Sequence, residues 1–73
     1  MKNRIRVLRA EKRISQAELA EMVGVSRNSI NSIENGKFDP SLPLAFKIAH
    51  VFQEAVEAVF DQSEVVADTI AIT

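Results

Sequence analysis

The sequence predicts an all-α domain of five helices followed by a C-terminal β-strand arm. Apolar residues recur with helical spacing, two serines stand just before helical patterns that end at glycine, and residues 65–73 are rich in β-branched side chains. A chain of 73 residues has a core of marginal size, which a second subunit would help to stabilise. We assign the domain to residues 1–62 and the arm to residues 63–73.

The first helix is predicted from about Lys2 to Arg13, with Ile5 and Leu8 facing inward. Two short helices joined by a tight turn follow it. Ser15 caps the earlier one together with Glu18, which completes a capping box, and a glycine supplies the positive φ at its end. A second serine caps the later one. The pair therefore contains Gln16 to Val23, the turn of Gly24, Val25 and Ser26, and a helix from Arg27 to the Asn35-Gly36 end, with Leu19, Ala20, Val23, Ile30 and Ile33 buried.

The outward face of this later helix carries short polar side chains and no apolar residue: Arg27, Asn28, Asn31, Ser32 and Asn35. A solvated surface is one interpretation, but such surfaces are usually built from Lys, Glu, Gln and Ala. Each Asn or Ser forgoes about 0.5 kcal/mol of helix propensity relative to Ala, so stability does not explain them. Asn pairs with adenine, Arg with guanine and Ser with either base in the major groove. We predict that Arg27, Asn28 and Ser32 contact bases, with Asn31 as a further candidate.

This segment resembles the helix-turn-helix of the lambda-repressor-like, or XRE, family of transcriptional regulators. The small residue Ala20, the turn glycine Gly24 and the closing Ile33-Glu34-Asn35-Gly36-Lys37 all fall where the family's pattern has them. The similarity extends from Ile5 to Phe60 and leaves only the tail outside. It implies a sequence-specific regulator of transcription that binds double-stranded DNA. We expect a repressor that binds a pseudo-palindromic operator as a homodimer, and activation through contact with polymerase is the alternative that the sequence leaves open.

The resemblance also implies roles for residues around the base-reading face. Gln16, Ser26, Asn35 and Lys37 are expected to contact phosphates and fix the register on DNA. Arg9 is expected to pair with Glu34 and so tie the first helix to the end of the recognition helix. The alternative is two unrelated surface charges.

The charge distribution agrees with a nucleic-acid partner despite a net charge of -1. Residues 1–37 contain eight Lys and Arg against four Glu, whereas residues 38–73 contain one Lys against six Asp and Glu. A basic half is sufficient for contact with phosphates, and an acidic half discourages binding through the wrong face.

The fourth helix is predicted to start after the cap Ser41 and to bury an apolar stripe of Leu44, Ile48, Ala49 and Phe52. The family's usual junction to the last helix has a glycine or asparagine, an apolar residue and a hydroxyl cap. This chain has Gln53, Glu54 and Ala55, which all favour helix. One continuous helix is therefore an alternative, but we predict a break near Gln53, since the last helix would otherwise leave the core.

The tail alternates loosely in hydrophobicity, with Val66, Ile70 and Ile72 on one side and Val65 on the other. A lone strand needs a partner for its hydrogen bonds, so we predict that this arm pairs with the same arm of a second copy. The apolar surface of the last helices is expected to complete the dimer contact. A disordered tail is the alternative.

Other classes of protein fit the sequence less well. The chain has no Cys, no Tyr and one His, and its carboxylates are scattered, so we expect neither an enzyme nor a cofactor nor a metal site. The absence of cysteine suits the cytoplasm, and no apolar run approaches the ~20 residues of a membrane span. An antitoxin-like module whose acidic half binds a basic protein, and which also binds DNA, remains the alternative function.

Overall fold

Five helices account for most of residues 1–63 and 66, the part of the chain that the computed structural model describes. They are α1 (Ile5–Lys12), α2 (Gln16–Val23), α3 (Arg27–Glu34), α4 (Leu42–Phe52) and α5 (Val56–Val59). The predicted all-α architecture is confirmed. Among these residues the one isolated β-bridge joins Asn3 to Phe60 in antiparallel orientation.

Serine caps start three of the helices, as the sequence predicts. The hydroxyl oxygens of Ser15, Ser26 and Ser41 each accept a hydrogen bond from the backbone amide three residues further on, over 3.0, 3.1 and 3.3 Å. Glu18 accepts from the Ser15 amide in return, which completes the capping box of α2. The serine caps therefore fix the first residue of α2 at Gln16 and that of α3 at Arg27.

Helix α1 begins at Ile5, later than the predicted Lys2. The reason is a short backbone pairing with the other end of the domain: the Arg4 amide donates to the Val59 carbonyl, and the Asp61 amide donates to the Lys2 carbonyl, both at 2.8 Å. Residues engaged in this pairing cannot also form the first turn of a helix.

Left-handed residues end four of the helical segments. Gly24 and Gly36 adopt φ values of 77° and 75°, and Arg13 and Gln53 adopt 58° and 55°. The predicted break near Gln53 is therefore confirmed: the amides of Gln53 and Glu54 bond back to the carbonyls of His50 and Ala49 as the chain leaves α4.

The core lies between the helix pair and the last two helices. α2 packs against both α3 and α4, and α4 packs against α5. The side chains that are most completely buried are those of Ile5, Leu19, Ile30, Ile33, Ile48 and Val59. Leu44, predicted to face the core, is half-buried, and Ala45 is buried beside it.

Most of the predicted dimer arm, including Val65, Ile70 and Ile72, lies outside the described residues. Val66 is described, and its amide donates to the Gln62 carbonyl over 2.9 Å. This hydrogen bond has the spacing of a helical turn, and the predicted β-strand arm of residues 63–73 stays a prediction. The side chain is 52% exposed.

Candidate nucleic-acid interface

The outward face of α3 consists of the polar side chains that the sequence singled out. Arg27, Asn28 and Asn31 are exposed and Ser32 is half-buried, whereas Ile30 and Ile33 on the opposite face are 0% and 1% exposed. The buried isoleucines fix the rotation of the helix about its axis. Three short polar side chains and the longer side chain of Arg27 are thereby presented together on this face.

Asn31 is held from the start of α2. The side-chain amide of Gln16 donates to Asn31 Oδ1 over 3.2 Å, and Asn35 donates to the same oxygen over 3.5 Å. The acceptor of Asn31 is therefore engaged within the protein, while its own amide hydrogens keep their capacity to donate. A bidentate pair with adenine needs both a donor and an acceptor, whereas the N7 and O6 atoms of guanine and the O4 atom of thymine only accept.

A buried carboxylate at the end of α3 ties this helix to α1. Arg9 donates to both oxygens of Glu34, from Nε over 2.9 Å and from Nη2 over 3.1 Å, and from Nη1 to the Ile14 carbonyl over 3.0 Å. The Glu34 side chain is 0% exposed and that of Arg9 16%. The structure thus brings Arg9 and Glu34 together in a two-bond, largely desolvated pair.

Arg6 is a member of this cluster that sequence reasoning missed. Its Nε lies 3.5 Å from Glu34 Oε1, and its Nη2 donates to Asn35 Oδ1 over 3.2 Å. The available signal was its spacing, because residues three apart on a helix share a face and Arg6 precedes Arg9 by three. The Asn35 side chain therefore has protein partners on two sides.

The remaining predicted phosphate contacts lie around the rim of the α3 face. Gln16 is the first residue of α2, and Ser26 is exposed, with its hydroxyl engaged as the cap of α3. Lys37 is exposed just beyond the end of α3, where its amide bonds back to the Ser32 carbonyl over 2.9 Å. Hydrogen-bond donors thus flank the outward face of α3 at both of its ends.

Other kinds of site find little support in the described part of the chain. Residues 1–63 and 66 contain no group of three or more His, Cys, Asp or Glu side chains placed to hold a metal ion. No helix in the same part is long and apolar enough to cross a membrane.

Comparison with protein families and curated sequences gives a consistent result. The family model described as Helix-turn-helix matches residues 5–58. An uncharacterized HTH-type transcriptional regulator of Methanocaldococcus jannaschii is 50% identical over 60 residues, which cover 82% of this chain and 91% of that protein. A regulator of the same description from Archaeoglobus fulgidus is 50% identical over 60 residues, covering 82% and 86% of the two chains.

Solved structures of a repressor and of a hypothetical transcription factor are similar in fold to this chain. The P22 c2 repressor, crystallised in complex with a synthetic operator, has a TM-score of 0.71 and 31% sequence identity, covering 74% of this chain and 82% of that one. A hypothetical transcription factor from Neisseria has a TM-score of 0.70 and 25% identity, covering 90% and 76%.

Proposed function

The chain belongs to the helix-turn-helix family of lambda-repressor-like transcriptional regulators, and from that premise we propose that it is a repressor which binds a pseudo-palindromic operator in double-stranded DNA as a homodimer. The observation that carries the proposal is the outward face of α3, where exposed Arg and Asn side chains stand opposite a fully buried apolar face. A regulator of this kind represses by occupying DNA that polymerase needs.

Base contacts are assigned to the face itself. Arg27 is the first residue of α3, and the N-terminal residues of a recognition helix reach furthest into the major groove. Arg27, Asn28 and Ser32 are proposed to bond directly to base edges. Asn31 is proposed to act mainly as a donor to guanine or thymine, because its oxygen is already bonded to Gln16.

Phosphate contacts are assigned to the rim. Gln16 and Ser26 stand at helix starts, where free backbone amides and the positive end of the helix favour an anion. Lys37 supplies an exposed cation beyond the other end of α3. Asn35 is proposed to reach a phosphate from beside Arg6, whose guanidinium adds positive charge at the same place.

Dimerisation is assigned to an exposed apolar face of α4. Leu42 and Phe46 lie one helical turn apart and are 63% and 56% exposed. Leu42 also lines a surface cleft together with Ala45, Val56 and Phe60, so the apolar surface continues onto α5. A two-fold contact through this face is self-complementary, and residues 63–73, including Val65, Val66, Ile70 and Ile72, are proposed to add to it.

Selection of bound sequences from a pool of random duplexes tests the proposal. We expect an enriched inverted repeat whose half-site centres lie about 34 Å apart, since the two copies insert their α3 helices into two successive major grooves. Enrichment of a single asymmetric site would contradict the homodimer, and no enrichment over random DNA would contradict sequence-specific binding.

Sedimentation separates the two proposed dimer elements. A chain that ends at Ser63 and a Phe46→Glu variant of the full chain are compared with the unaltered protein. If the truncated chain remains dimeric at micromolar concentration, the arm plays no part in the contact. If the Phe46→Glu variant remains dimeric, the α4 face plays none.

A further inference from the structure

An exposed aromatic ring borders the proposed base-reading face. Phe38 is 53% exposed, whereas Phe52 and Phe60 are 4% and 3% exposed. It forms one wall of an open cleft of about 250 Å³ whose other walls are Asn28, Ser29 and Ser32 of α3. Two of these three residues, Asn28 and Ser32, are among those to which we assign base contacts.

The backbone after α3 holds the ring in this position. Gly36 is left-handed with φ of 75°, its amide bonds to the Ile33 carbonyl over 3.0 Å, and the next amide bonds to the Ser32 carbonyl over 2.9 Å. This pair of bonds reverses the chain and returns it towards α3. Pro40 then restricts Asp39 to an extended backbone, and Asp39 accepts a 3.0 Å hydrogen bond from the Met1 amino group. The backbone of Phe38 thus lies between two segments that are held by hydrogen bonds.

We propose that Phe38 is a specificity-determining residue that packs against the 5-methyl group of a thymine in the operator. The methyl group of thymine is the distinctive apolar feature of the major groove, and an aromatic ring is a natural partner for it. The Phe38 ring has no group that can donate a hydrogen bond to a phosphate, so its place beside Asn28 and Ser32 suits an apolar contact with a base. The inference rests on the proposed function, because a methyl group enters this cleft only when α3 lies in the major groove.

A second copy of the chain is the competing occupant of the cleft. Such a copy would cover Asn28 and Ser32 and so block the face proposed to read DNA. The exposed apolar residues Leu42 and Phe46 on α4 offer a contact without that conflict. The cleft beside Phe38 is therefore assigned to DNA, with self-association left as an outcome of the experiment.

Replacement of thymine by deoxyuridine removes the methyl group and leaves base pairing intact, which makes a direct test. In the operator selected with the unaltered protein, each thymine of a half-site is replaced in turn and the affinity is measured. We expect one position at which the loss is about fourfold, the equivalent of about 0.8 kcal/mol for one buried carbon. With Phe38→Ala the affinities for thymine and deoxyuridine at this position should become equal, and Phe38→Leu should preserve part of the difference.

Met22→Ala is the matched control, because it removes an exposed apolar side chain of α2 to which no contact with DNA or with a second copy is assigned. It should leave both the operator affinity and the ratio of thymine to deoxyuridine affinity unchanged at every position. An unchanged ratio in Phe38→Ala, with the operator still selected by the unaltered protein, would overturn the inference and leave the proposed function standing. Loss of the dimer in Phe38→Ala with an unchanged ratio would instead assign the ring to a contact between copies. If no operator is selected at all, both proposals fail.

Discussion

The two faces of α3 belong to one helix of eight residues, but packing in the core determines the side chains of one face and not those of the other. On the inner face, Ile30 and Ile33 are enclosed by the core, and the Glu34 carboxylate is fully buried against Arg9. On the outer face, Arg27 and Asn28 are exposed and have no role in packing. One side of a short helix can therefore hold it in place, while the side chains of the other side are free to serve recognition.

Some side chains of the outer face of α3 also make contacts within the protein. Asn31 and Asn35 belong to the outer face, yet their side chains bond to Gln16 of α2 and Arg6 of α1. These bonds limit the rotamers of the two side chains. We therefore expect Asn31 to be better ordered before DNA binding than Arg27, which has no such partner among the described residues.

The largest effect is expected from truncation on the inner face. Ile30→Ala should lower the free energy of unfolding by about 4 kcal/mol, since it removes a fully buried side chain and leaves a cavity beneath α3. Urea denaturation measures the change. Asn28→Ala on the outer face is the control and should raise the free energy of unfolding slightly, by about 0.5 kcal/mol or less, because Ala has the higher helix propensity. Comparable losses of unfolding free energy in Ile30→Ala and Asn28→Ala would show that the two faces do not differ in their contribution to stability.

Glu34→Ala should have the second-largest effect and lower the free energy of unfolding by about 3 kcal/mol. The reason is that it leaves the poorly solvated guanidinium of Arg9 without its carboxylate. Chemical denaturation of Glu34→Ala, Arg9→Ala and the double variant gives the coupling between the two side chains. Arg6, which also reaches Glu34 but is largely exposed, should contribute much less. A loss below about 1 kcal/mol for Glu34→Ala would count against a stabilising role of the buried pair.

On the outer face, Arg27→Ala should leave the unfolding free energy nearly unchanged and weaken operator binding by about 1 to 3 kcal/mol. The physical reason is the loss of two hydrogen bonds to one base, so the preference at one operator position should relax. Affinities for the selected operator and for random DNA are measured side by side. Equal losses on the two duplexes would indicate that Arg27 contacts phosphate.

The smallest effect on DNA affinity is expected from Lys37, which lies beside the outward face of α3. Lys37→Ala should weaken binding to all sequences alike and reduce the slope of log affinity against log salt concentration by about 1, the contribution of one phosphate contact. Titrations over a range of salt concentrations on operator and random DNA provide the measurement. Lys47→Ala on α4 is the matched control, and a slope that responds to Lys47 rather than Lys37 would move the DNA-binding surface to another face.

The helix-turn-helix was predictable from the sequence because its signals are local. The hydroxyl of Ser15 or Ser26 acts on an amide three residues away, and Gly24 acts through its own backbone angle. The break at Gln53 was also predicted, although Gln53 favours helix. Its left-handed backbone costs about 1 to 2 kcal/mol, and burial of Val59 and Phe60 beyond it offsets that cost.

The sequence by itself thus determined the order of the helices, their caps and the polar character of the outer face of α3, since these depend on residues within one or two turns of each other. The tertiary structure alone decided that α1 starts at Ile5 and that Arg6 joins Arg9 at Glu34. Each of these depends on residues far apart in the chain, whose meeting is set by how the helices pack and by which polar groups that packing removes from water.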